Sequence, residues 1–138
     1  MATNTAGSVA RNYNKQLVHY LRRTVGFADN GVALAMGTIP AGSLILKPMS
    51  GVHVVTVFNA GTTNTLNVGT DANDDLFGTL LALGTATFVP LDEAIGGFRV
   101  DADTDITATV VLTGTAATTG EAEVVIEQRW PRPRKLRR

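Results

Sequence analysis

From Val32 onward the chain alternates apolar and polar residues in short runs broken by clusters of Gly, Asn and Asp. That period-two pattern is the signature of many short β-strands. Between Asp105 and Leu112, the residues Ile106, Ala108, Val110 and Leu112 fall on one side and Thr107 and Thr109 on the other. Ala122, Val124 and Ile126 alternate in the same way with Glu121, Glu123 and Glu127. Both runs read as half-buried antiparallel strands. Val52 to Phe58 is apolar on both faces, as a central strand would be, and passes through Asn59-Ala-Gly-Thr-Thr-Asn64 into Thr65 to Val68. Two such runs around an Asn/Gly turn predict a β-hairpin. Val32 to Met36, Leu44 to Lys47, Thr85 to Val89 and Phe98 to Val100 are further candidates. About eight strands separated by turn residues predict an all-β fold, an antiparallel β-sandwich of jelly-roll type.

The pattern changes at both ends. Val9, Tyr13, Leu17, Leu21 and Val25 recur every four residues with Ser8 ahead of them, the spacing of an amphipathic helix with an N-cap. The stretch from Leu17 to Leu21 reads equally well as an added strand. The last segment, Trp130-Pro-Arg-Pro-Arg-Lys-Leu-Arg-Arg138, has two prolines that cannot donate to a ladder and favour an extended path outside the sheet.

Charge divides the chain at the same places. The net charge is zero, with 12 Lys and Arg against 12 Asp and Glu. Residues 1 to 25 hold Arg11, Lys15, Arg22 and Arg23, and the end of the chain holds Arg129, Arg132, Arg134, Lys135, Arg137 and Arg138. Neither segment contains an acid; every Asp and Glu lies between Asp29 and Glu127. The expected organisation is therefore a basic N-terminal arm over 1–25, an acidic β-sandwich over 26–128 and a basic tail over 129–138. Such separation favours association of arms with a partner surface. The residues placed at that surface are Arg11, Tyr13, Lys15, Leu17, Leu21, Arg22, Arg23, Arg129, Trp130, Arg132, Arg134, Lys135, Arg137 and Arg138. Arginine supplies most of the cations, and its planar fork suits bidentate pairing with carboxylates.

Little in the sequence carries catalysis. There are two histidines, His19 and His53, three serines, no cysteine and no nucleophile elbow, so positioned acid, base and nucleophile groups are scarce. Asp71-Ala-Asn-Asp-Asp75 and Asp101-Ala-Asp-Thr-Asp105 start like calcium loops. They place Leu76 and Ile106 where the motif needs glycine, and Ala82 and Leu112 where it needs glutamate. No phosphate-binding glycine loop opens a helix. No catalytic residue, cofactor or metal is expected, and the reading is not an enzyme. The N-terminus lacks a secretory signal's apolar core, and no apolar run reaches the ~20 residues of a membrane helix. An unexported protein with no membrane partner is the expectation.

Phe58-Asn-Ala-Gly-Thr-Thr-Asn-Thr-Leu-Asn-Val-Gly-Thr70, Ala102-Asp-Thr-Asp-Ile-Thr-Ala-Thr-Val110 and Thr113-Gly-Thr-Ala-Ala-Thr-Thr-Gly120 resemble the capsid decoration, or cement, proteins of tailed bacteriophages. The resemblance spans residues 32 to 128. It implies a jelly-roll sandwich on the capsid surface of a virion, assembled in the host cytoplasm, that binds the major capsid protein and bridges capsomers as a dimer or, second, a trimer. It supplies no catalytic residues. Two alternatives stand beside it. A carbohydrate- or receptor-binding β-module would need exposed loop aromatics, for which Phe77 is the candidate. A nucleic-acid-packaging shell protein would turn the same cationic tail toward phosphates, although an acidic body and few stacking aromatics argue against nucleic acid.

Overall fold

The computed structural model describes residues 18–93 and 99–129, and within them the chain is a two-layer antiparallel β-sandwich. Its strands are β1 (Val18–Gly26), β2 (Ala33–Ile39), β3 (Leu44–Ile45), β4 (Gly51–Thr56), β5 (Thr63–Gly69), β6 (Gly78–Ala82), β7 (Phe88–Pro90), β8 (Thr104–Thr113) and β9 (Glu121–Arg129). The first sheet has the order β1-β9-β4-β7, with β3 also on β9; the second has the order β2-β8-β5-β6. The pairing is nested: β1 with β9, β2 with β8, β4 with β7 and β5 with β6, all antiparallel. This nesting across two sheets is the connectivity expected of a jelly roll.

The alternation read from the sequence sets the core. Ile106, Ala108, Val110 and Leu112 of β8 face Ala122, Val124 and Ile126 of β9, and Phe58, Leu66, Leu83 and Leu91 fill the space between. Because each sheet has one face inward, a single period-two stripe per strand is enough to close the layer. β3 and β4 lie along the same edge of β9, interrupted by a 3-10 turn at Lys47–Met49 that carries Pro48. Ser50, wholly buried, repairs the ladder there. The Glu127 backbone N–H donates to its Oγ at 2.9 Å, and its hydroxyl donates to the Leu46 carbonyl at 2.8 Å. A buried backbone donor is costly to leave unpaired, which accounts for a serine in an apolar setting.

Two sequence expectations are corrected. Val52–Phe58 and Thr65–Val68 do not form a hairpin: β4 belongs to the first sheet and β5 to the second. The Asn59-Ala-Gly segment is a corner that carries the chain across the core. Its asparagines hold it: the Asn64 carboxamide accepts from the Ala60 N–H at 2.8 Å and donates to the Ala60 carbonyl at 3.0 Å. Residues 18 to 25, grouped with the arm by charge, form β1 and pair with β9 from Val18–Arg129 to Gly26–Glu121. Of the two readings of the first arm, the strand holds for the residues described. A helix would have left the β9 edge and the buried side chain of Val25 uncovered. Arg99 makes a single bridge with Leu44; Phe98 lies outside the described residues. β6 had no counterpart among the predicted strands.

One tight spot of the core is the corner ahead of β9. Gly120 has φ +146°, and a side-chain carbon there would stand 2.4 Å from Cδ2 of buried Phe58. Gly120→Val is expected to cost about 2–5 kcal/mol, because the backbone conformation and the overpacking both resist it. Urea unfolding would measure this. A midpoint unchanged from the wild type would mean that the corner shifts freely and that Phe58 is not pinned by it.

Candidate functional site

The strand registers define two ends of the sandwich. At one end Val18 opposes Arg129, Ile39 opposes Thr104, Gly51 opposes Pro90 and Val68 opposes Gly78. Leu44 also opposes Arg129. The N-terminal segment therefore enters, and the C-terminal segment leaves, on adjacent strands at a single corner.

The same end gathers the acids. Its loops carry Asp71, Asp74, Asp75, Asp92, Glu93, Asp101 and Asp103, and Asp105 lies at the start of β8. At the opposite end the connections 27–32, 57–62, 83–87 and 114–120 carry Asp29 and otherwise Gly, Thr, Ala, Asn and apolar residues. The arm roots thus sit beside a collar of carboxylates. Part of that collar is structural: Asp103 accepts from the Ala41 N–H at 2.8 Å, and Asp105 accepts from the Thr38 hydroxyl at 2.5 Å. Among the described residues, no three His, Asp or Glu side chains come together as metal ligands.

The predicted contact residues divide into three groups. Arg11, Tyr13, Lys15, Leu17, Trp130, Arg132, Arg134, Lys135, Arg137 and Arg138 lie outside the described residues. Leu21 and Arg23 have partners inside the chain. Leu21 packs against the core, its Cδ2 atom 2.9 Å from where a side-chain carbon at Gly37 would be, so glycine in β2 makes its seat. Arg23 sits at the edge of the first sheet and donates to the Ala35 carbonyl of β2 at 2.8 Å, tying one layer to the other. Arg22 and Arg129 are exposed. Arg22 lies 3.6 Å from Glu123, an exposed ion pair of the kind that contributes about 0–1 kcal/mol.

Sequence reasoning missed the collar, because the acids are scattered over two connections and the start of β8, and only the nested pairing brings them to one end. It also misjudged Phe77, which is buried under β5 and β6 instead of presented to a ligand. Among the described residues, the exposed aromatics are Tyr20 on β1, Phe88 on β7 and Phe27 between β1 and β2.

The fold has a counterpart in a virus capsid. A chain of the cyanophage Pam1 capsid asymmetric unit matches with a TM-score of 0.62 at 20% identity, over 94% of this chain and 99% of that one. At this identity the likeness establishes the shared fold and nothing finer. No family model matches the sequence, and no curated protein matches it.

Proposed function

We propose that this chain is a structural protein of a bacteriophage virion, a cement protein that binds the major capsid protein on the outside of the shell and bridges its capsomers. The observation that carries the reading is the fold likeness, over nearly the full length of both chains, to a component of the cyanophage Pam1 capsid asymmetric unit. The placement of charge supports it. Basic segments rooted together inside an acidic collar present both signs to a partner at one end, and alternating charge of this kind fixes register and orientation against a protein surface. A polyanion is a poorer match, since phosphates drawn to the tail would meet the collar. The carbohydrate-binding alternative loses its loop aromatic with the burial of Phe77.

The test is direct. Purified chain added to shells that lack it is expected to bind saturably at a fixed ratio to the major capsid protein, to weaken as salt rises, and to raise the temperature at which the shell opens. A chain that ignores shells, or binds the genome in preference to them, would overturn the proposal.

A further inference from the structure

We propose that a cleft at the end of the sandwich opposite the arm roots is a binding site for one neutral pyranose ring of a glycan. The inference goes beyond the shell reading and does not rest on it.

The cleft, about 240 Å³ in volume, opens between the turn that joins β1 to β2 and the connection that follows β8. Both walls are hydrogen-bonded in place. On one side the Phe27 N–H donates to the Gly120 carbonyl at 3.2 Å, and the Gly31 N–H donates to the Val110 carbonyl at 2.8 Å. The Asn30 carboxamide spans the Leu112 backbone, accepting from its N–H at 2.8 Å and donating to its carbonyl at 3.1 Å. On the other side the N–H groups of Gly61 and Thr62 donate to the carbonyls of Thr115 and Thr113, each at 2.9 Å. Gly114, at φ +87°, lies so close to Thr62 that a side-chain carbon there would stand 2.5 Å from the threonine hydroxyl. A site tied down by backbone bonds on each side is formed before a ligand arrives, and binding then costs little ordering.

The lining decides the ligand class. Phe27 keeps 40% of its surface exposed, while Ala60 and Leu112, each 9% exposed, form a small aliphatic floor. Thr113 and Thr115 are exposed, and their hydroxyls make no hydrogen bond among the described residues. No ionisable side chain lines the cleft, and the acid of the neighbouring turn, Asp29, accepts from the Gly26 N–H at 2.7 Å. A charged ligand would leave water for a place without a counter-charge. A purely apolar ligand would make no use of the threonine hydroxyls. A pyranose meets both needs: its C–H face suits the phenyl ring and the aliphatic floor, and its rim hydroxyls suit the threonines, which both donate and accept. The ring that Phe77 does not present to a sugar is presented by Phe27 at the other end of the sandwich.

Size sets the strength. The volume is below the roughly 300–1,000 Å³ of sites for drug-sized ligands, which limits the cleft to one ring and its affinity to roughly the millimolar range. Copies held on one surface by their arms would present these clefts side by side, and weak binding of single rings would add up along a polysaccharide.

The test is a titration of the nitrogen-15-labelled full chain with the methyl glycosides of glucose, galactose, mannose and N-acetylglucosamine, read by amide shifts. At least one glycoside should move the signals of Asn30, Gly114 and Thr115 saturably and leave those of Val18 and Arg129 in place. Phe27→Ala should weaken this binding about tenfold, and Thr115→Val, which keeps the shape and removes the hydroxyl, should weaken it as well, with the thermal melt unchanged in each. Should Phe27→Ala fail to fold, Thr115→Val carries the comparison. Cyclohexanol and glucuronate serve as the apolar and the charged probe. No saturable shift with any of the glycosides, binding unchanged in the folded variants, or cleft signals moved as strongly by cyclohexanol or glucuronate would each overturn the inference. Sugar binding by a chain that ignores shells would leave it standing and remove the shell reading; a shell-binding chain whose cleft no glycoside enters would do the reverse.

Discussion

Removing residues 1 to 25 is expected to unfold the sandwich, whereas removing 1 to 17 should leave it folded. The larger deletion takes away β1, whose nine register pairs cover one side of β9. It also removes Val25, fully buried, and Leu21, packed on Gly37. Full burial of one such side chain is worth about 1.5–3 kcal/mol. Loss of both, with Ala122, Val124 and Ile126 of β9 uncovered along one edge, amounts to roughly 5 kcal/mol or more. The whole stability of a domain is about 5–15 kcal/mol. Circular dichroism melts of the two truncations decide the matter: if both melt within a few degrees of the intact chain, β1 is an appendage and the charge-based boundary at residue 25 was the right one.

Deleting Pro131 to Arg138 should act on binding alone. Five cations go with it, Arg132, Arg134, Lys135, Arg137 and Arg138, and no residue of the described core is touched. Exposed ion pairs contribute about 0.2–1 kcal/mol each, so the loss of affinity for shells should fall between roughly fivefold and several thousandfold at low salt. High salt should bring the intact and truncated chains together, since screening removes from one what the deletion removes from the other. A titration against shells at two ionic strengths reads both effects. Equal affinity at low salt would show that the tail is not an anchor.

The parts of the fold that were legible in the sequence are those governed by local alternation. β8 and β9 announce themselves because Ile106, Ala108, Val110 and Leu112, and Ala122, Val124 and Ile126, recur at every second position and are all buried, with Val111 and Val125 the apolar exceptions on the other side. What stayed hidden was pairing. Asn59-Ala-Gly61 has the chemistry of a tight turn, but the same residues serve a corner between sheets. The choice is made by distant partners: β4 goes to β9 and β5 to β8. β6 was missed because it is five residues long and its apolar stripe is broken by Leu80 in a left-handed conformation. Charge named the ends of the chain as basic, yet it could not say that Arg23 would be spent on the Ala35 carbonyl, a contact that exists only once β2 lies across the sandwich.

The common root of the two arms also settles how the molecule bears load. Val18 and Arg129 are opposed at the open end of an antiparallel pair in which, among the described residues, β1 has no strand on its far side. Force that drew the arms apart would enter this pair as a zipper, straining one rung at a time from Val18 inward, and would peel β1 away cheaply. Force that pulled both arms together away from the body would instead draw β1 and β9 along as a pair and load in shear the rungs that hold β9 to β3 and β4. A tether of this design holds best when both arms grip neighbouring points on one rigid body, and gives way first where those points separate.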